Sequence, residues 1–190
     1  MNHQQDKADA ISWARRLAER QFLVLDTETT GLYDAQALQI AVINQDGEPM
    51  WETLVMPTCE ISEGAWKIHG ISMDTLIAAQ APTFDRVYPE LAALLTGQNL
   101  VIYNAAYDWP ILSRQCLEYN LQSPELGCLT CAMEWYAQYV GCWNQRHQSY
   151  TWQKLPDGDH SALGDCQATL ALIRRMAATP DGWRIKELDR

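Results

Sequence analysis

A chain of 190 residues, 47% hydrophobic and 20% charged, can build one compact domain with its own core, which excludes global disorder. A formal net charge of −10 argues against an extended basic track for nucleic acid, because that mode of binding depends on Lys and Arg neutralising phosphates. It fits a short contact footprint in which metal ions supply the positive charge, and it also fits a protein with no nucleic-acid role.

The spacing of Ile11, Ala14, Leu17 and Ala18 predicts a helix over residues 8–19, after a polar, frayed start at 1–6. Gln21 to Asp26 (QFLVLD) is a short apolar run that reads as a buried strand. Residues 38–44 form a second strand, Asp46-Gly47 a tight hairpin, and residues 50–56 the returning third strand. Residues 57–70 read as irregular. Ser72 reads as the N-cap of a short helix, and Phe84, Val87, Tyr88, Leu91 and Leu95 have helical spacing. Residues 100–103 give a fourth strand, 107–119 a helix, and 128–131 a short fifth strand before another helix. Residues 141–160 carry no clear period. Leu163, Cys166, Leu170, Ile173 and Ala177 mark a last helix. The expected architecture is α/β: a mixed five-stranded sheet, three antiparallel strands and then parallel ones, with helices on both faces. It would be one domain over 1–190, with its core at 22–177 and a tail at 178–190.

Asp26 and Glu28 stand two apart in a strand, so they share a face. Paired carboxylates repel unless a cation lies between them, and oxygen-only ligands suit Mg²⁺ or Mn²⁺. An exposed acidic turn is the plainer alternative. Asp108 follows the fourth strand, and at a helix start it would also suit the dipole. His160 and Asp165 are five apart. On one continuous helix they would diverge, so they converge only if His160 lies in the loop announced by Pro156-Asp157-Gly158.

Together these motifs resemble the DEDDh family of 3′→5′ exonucleases: Asp26-Thr27-Glu28-Thr29-Thr30-Gly31-Leu32, then Asn104 to Asp108, then His160 to Asp165. The resemblance implies an RNase H-like sheet and two divalent ions, Mg²⁺ or Mn²⁺. Asp26, Glu28, Asp108 and Asp165 would be the ligands, and His160 would take a proton from the attacking water. It also implies that Thr29, Leu32, His69, Ile71, Asn104 and Tyr107 contact substrate, with Leu32 as an apolar wedge against the terminal base. The expected substrate is the 3′ end of a single DNA strand or a frayed end, with nucleoside 5′-monophosphates as products. RNA is the alternative within the family, and a non-catalytic binding module of the same fold is the rival outside it. A polymerase partner is compatible with the resemblance, but no residue indicates one. Tyr103 stands where many relatives have His, and Ser161 where Arg is frequent.

Other signals point elsewhere. The six cysteines are scattered, no apolar run is long enough to span a membrane, and no signal peptide is visible, so a cytoplasmic protein with reduced thiols is expected. Cys128 and Cys131 read as core thiols rather than half a zinc site. Trp135, Tyr136, Tyr139, Trp143, Tyr150 and Trp152 read as a satellite core rather than a base-stacking platform. Arg174, Arg175, Arg184 and Lys186 read as a solvated face.

Overall fold

The computed structural model describes residues 3–181. Five strands form one sheet in the order β3-β2-β1-β4-β5: β1 (Leu23–Thr29), β2 (Ala37–Asn44), β3 (Pro49–Leu54), β4 (Asn99–Ile102) and β5 (Cys128–Cys131). β1 pairs antiparallel with β2 and β2 with β3, whereas β4 runs parallel to both β1 and β5. This is the mixed sheet expected from the element order. Gly47, at φ +93, makes the β2–β3 hairpin. There the Gly47 N–H donates to the Asn44 carbonyl at 3.0 Å, a turn a β-carbon would strain.

Strand alternation divides the core in two. Val24, Ala41, Ile43 and Val101 face a layer made by α1 (His3–Ala18), α6 (Ala132–Val140) and α7 (Ala162–Ala177). Leu23, Leu25, Ile40, Val42, Leu100 and Ile102 face α4 (Phe84–Leu95) and α5 (Ala105–Glu118). Helices therefore cover both faces, which is why β1 is buried along nearly its whole length. No helix among the described residues is long and apolar enough to cross a membrane.

Three local expectations need correction, and the unread stretch 141–160 gains structure. Residues 3–6 are not frayed. α1 begins at His3, and the Tyr150 hydroxyl donates to Asp6 at 2.5 Å while bonded to His3 Nδ1 at 2.8 Å. The stretch 57–70, expected to be irregular, holds α2 (Glu63–His69), which precedes α3 (Met73–Ala78). α2 buries no residue, so it has no apolar period, yet Ser62 caps its start and Gly70 its end. Residues 141–160 contain a small hairpin, β6 (Trp143–Asn144) and β7 (Ser149–Tyr150). Cys128 is exposed at a strand start rather than in the core, while the partly buried Cys131 thiol donates to the Tyr103 carbonyl. Arg174 donates to the Gln45 carbonyl, and Arg175 lies over the Tyr136 ring. Arg184, Lys186 and residues 182–190 of the expected tail lie outside the described residues.

Candidate active site

Leu25 pairs with Ile102, the last residue of β4. From Asp26 onward β1 therefore has no neighbour on that side, and its side chains face an open sheet end. Asp26 and Glu28 share the parity of Val24, so they point to the face covered by α7. α7 is fixed there by Gln39, the β2 partner of Glu28, whose side-chain oxygen accepts the Ala162 N–H at 3.1 Å. Asp165, in the first turn of α7, thus meets the two strand carboxylates. One carboxylate oxygen from each of Asp26, Glu28 and Asp165 lies within 4.8 Å of the others, a cluster that could hold a metal ion.

Asp108 is not part of that triplet. Thr27 has the opposite parity and faces α5, where its hydroxyl donates to Asp108 Oδ1 at 2.6 Å. Asp108 is only 4% exposed. It nevertheless stands close enough to repel Asp26.

The electrostatics are those of carboxylates crowded together away from water. Burial first, and then repulsion from Asp108, Asp165 and Glu28, holds the Asp26 carboxyl well above the usual range. Burial followed by repulsion from Asp165 and Asp108 raises Glu28 to about 7. Burial raises Asp108 to about 6, opposed by the Thr27 bond. Asp165 is raised by burial against the pull of two backbone N–H groups. Raised folded values mean that the native state holds more protons than the unfolded chain between the ordinary value of 4.5 and about 7. These groups therefore favour folding least above pH 7. In EDTA the melting temperature should fall as pH rises through that window, and Glu28→Gln should flatten the fall. A slope unchanged by Glu28→Gln would show that Glu28 does not titrate as its surroundings dictate.

His160 lies in the loop before α7, as the sequence required, with φ at +61. Asp165 Oδ1 accepts the N–H of Asp159 at 3.0 Å and of His160 at 3.3 Å, so one carboxylate faces the cluster and also organises the loop. Ser161 caps α7 by accepting the Gly164 N–H, and its own N–H and hydroxyl donate to Asp159. Neither Gly158 nor Gly164 has room for a side chain. An added Cβ would lie 2.8 Å from Asp165 Oδ1 at the first and 2.1 Å from Asp159 Oδ1 at the second. The His160 side chain is exposed and near enough to His69 to oppose its protonation.

A cleft of about 540 Å³ opens beside Glu28, lined by Thr29, Leu32, Tyr33, Ile68, His69 and Tyr107 among others. Leu32 is 77% and Tyr33 90% exposed, so its rim is apolar and open to solvent. The Tyr107 hydroxyl donates to the Gly31 carbonyl at 2.5 Å and contacts the Thr29 hydroxyl at 2.7 Å. His69 is a brace. Its Nδ1 accepts the Ile71 N–H at 3.0 Å, so Nε2 carries the proton and donates to the Thr29 carbonyl at 3.1 Å. Burial holds its pKa down, which suits this neutral form.

One expected substrate contact, Ile71, lies elsewhere, and Asn104 acts here through its backbone. Ile71 is buried with Leu38 and Leu76, because the turn after Gly70 directs it into a small core cluster. The Asn104 side chain makes no capping bond, and it is the Asn104 carbonyl that accepts the N–H groups of Tyr107 and Asp108.

The exonuclease family model named RNase_T matches residues 23–173. The chain belongs to this exonuclease family. An uncharacterized exonuclease, CP81, of Escherichia phage 186 is 34% identical, over 86% of this chain and 92% of its own. A structure of Exonuclease X in complex with 5′ overhanging duplex DNA is 26% identical, with a TM-score of 0.56, covering 86% of this chain and 94% of that one. The nuclease domain of 3′hExo, a DEDDh family member bound to rAMP, shares the fold at 16% identity and a TM-score of 0.60, over 88% of this chain and 96% of its own. Other curated relatives are much longer: this chain spans 8% of a DNA polymerase III PolC-type protein of Thermotoga petrophila. The family is one of 3′→5′ exonucleases, so this chain is an exonuclease with an RNase H-like fold. Within the family match, sequence reasoning used Gly158 only as a loop signal and passed over Gln39, Asp159 and Gly164, which with it hold the α7 start and its loop in place. The glycine directly before Asp165 was the available signal.

Proposed function

We propose that this exonuclease removes nucleotides from the 3′ end of single-stranded or frayed DNA, with two Mg²⁺ or Mn²⁺ ions, releasing nucleoside 5′-monophosphates. The observation that carries this reading is the convergence of Asp26, Glu28 and Asp165 oxygens within 4.8 Å at the mouth of an open cleft. An all-carboxylate set with raised pKa values fits a hard divalent cation, the one partner that would relieve its repulsion. Asp26, Glu28 and Asp165 would hold it, with Asp108 adjoining. Bound cations would supply Lewis-acid charge for phosphodiester hydrolysis.

The chain's own groups have the remaining tasks. His160, exposed beside Asp165, accepts the proton of the attacking water on a ring nitrogen. The 3′ oxygen of the preceding nucleotide leaves and is protonated, giving a shortened strand with a 3′-hydroxyl. Leu32 and Tyr33 cover the terminal base without reading its identity, since every base offers a π-face. The test is incubation of 3′-labelled and 5′-labelled single strands, DNA and RNA, with Mg²⁺. Early release of the 3′ label as a mononucleotide is expected, and internal cleavage would overturn the reading.

The charge of −10 sets a further expectation. Few phosphates can be neutralised by side chains, so log affinity should fall with log salt at a slope of about −1 to −3 at fixed metal concentration. A 3′-phosphate should block the reaction. A steeper slope, or cleavage of circular substrate, would indicate an extended basic surface or an endonuclease.

A further inference from the structure

Residues 135–156 are the longest stretch of this chain without an aspartate or glutamate: 22 positions, in a sequence that places 24 acidic residues among 190. Arg146, His147 and Lys154 lie in it, all exposed. Among the described residues none of their side chains has an ion pair or a hydrogen bond, as also for Arg16 and Arg20, whereas Arg15, Lys67, Arg86 and Arg114 meet carboxylates. Trp152 lies between Arg146 and Lys154 in the chain. It is 70% exposed, and among the described residues its indole has neither a hydrogen-bond partner nor a ring contact. Trp135, Tyr136 and Tyr139 pack on the core, and Trp143 and Tyr150 pack on each other and on His3. Trp152 is therefore the aromatic side chain of this segment that packing leaves unexplained.

The segment is anchored at the right end of the molecule. The Tyr103 hydroxyl donates to the Gln153 carbonyl at 2.7 Å. Tyr103 directly follows β4, whose last residue pairs with Leu25, the neighbour of Asp26. From Lys154 the chain runs on to Asp159 and His160, whose N–H groups reach Asp165.

We propose that the segment from Arg146 to Lys154 is a nucleic-acid contact that holds the strand upstream of its 3′ end, with Trp152 stacking on a base and Arg146 and Lys154 meeting phosphates. This rests on the exonuclease reading above. Charge decides the class of partner. In a chain that repels polyanions, the acid-free segment carries unpaired cations around a bare indole, the combination that suits a single strand. The cleft beside Glu28 addresses the terminal nucleotide, so this contact would act only on substrates long enough to reach it.

The test compares two substrates. One is a single strand of about 16 nucleotides, long enough to cover such a contact. The other is the p-nitrophenyl ester of thymidine 5′-monophosphate, which engages only the reaction centre. The readout is the ratio of kcat/KM for the strand to kcat/KM for the ester. Trp152→Ala should lower this ratio about five- to hundredfold through KM, in line with the loss of one base stack, and Trp152→Phe should restore most of it. The Arg146→Ala, Lys154→Ala pair should make the salt slope shallower by about 1.4. If both substrates suffer equally, Trp152 acts on the fold. If the ratio is unchanged, the surface serves another partner, such as a protein. Either result overturns the proposal while leaving the exonuclease reading intact. Failure of the native protein on both substrates would overturn the two together.

Discussion

His160→Ala is expected to lower turnover by about 10²–10⁴-fold, the usual contribution of a positioned general base, with metal and substrate affinity nearly unchanged. The geometry separates this from a folding defect. His160 is exposed, so its side chain adds little to the core, and the loop is held through backbone N–H groups that alanine retains. The positive φ is already borne by an L residue. His160→Gly, which relieves that conformation, should be as inactive as the alanine variant. Near-normal turnover in either folded variant would remove His160 from the mechanism.

Asp26→Asn is expected to lower turnover by at least about 10³-fold, because removing a ligand weakens the cation charge on which phosphodiester hydrolysis depends. Its effect on stability should have the opposite sign. Burial and three carboxylate neighbours disfavour the charged form of Asp26, so without metal the neutral amide should fold as well or better above neutral pH. In the parent protein, Mg²⁺ or Mn²⁺ at a hundredfold excess over Kd should add about 2.7 kcal/mol of stability. The variant should lose most of that gain. A parent melting temperature indifferent to both EDTA and metal would show that these carboxylates do not form the site.

The centre of the sheet could be read from sequence because β1 and β2 are buried on both faces and β2 is set off from β3 by strong punctuation, Asp46-Gly47. The same parity argument placed Asp26 and Glu28 together, and the loop requirement for His160 followed from helix geometry. α2 was missed because a helix that buries nothing leaves no period to detect, although its caps at Ser62 and Gly70 were visible. Ile71 was misplaced because its side-chain direction depends on the turn at Gly70, not on local pattern. The separation of Asp108 from the other three carboxylates depends on which face Thr27 presents to α5, a long-range fact.

The two halves of the site also differ in how they can come apart. Asp26 and Glu28 stand on the central strand, which is paired along its length with β2 and covered by helices on both faces, so separating them costs much of the fold. His160 stands on an exposed loop pinned mainly by a single carboxylate oxygen and a small Asp159–Ser161 turn. Fluctuations that cost far less than unfolding can release it. The proposed proton acceptor should therefore be lost on warming before Asp26 and Glu28 separate.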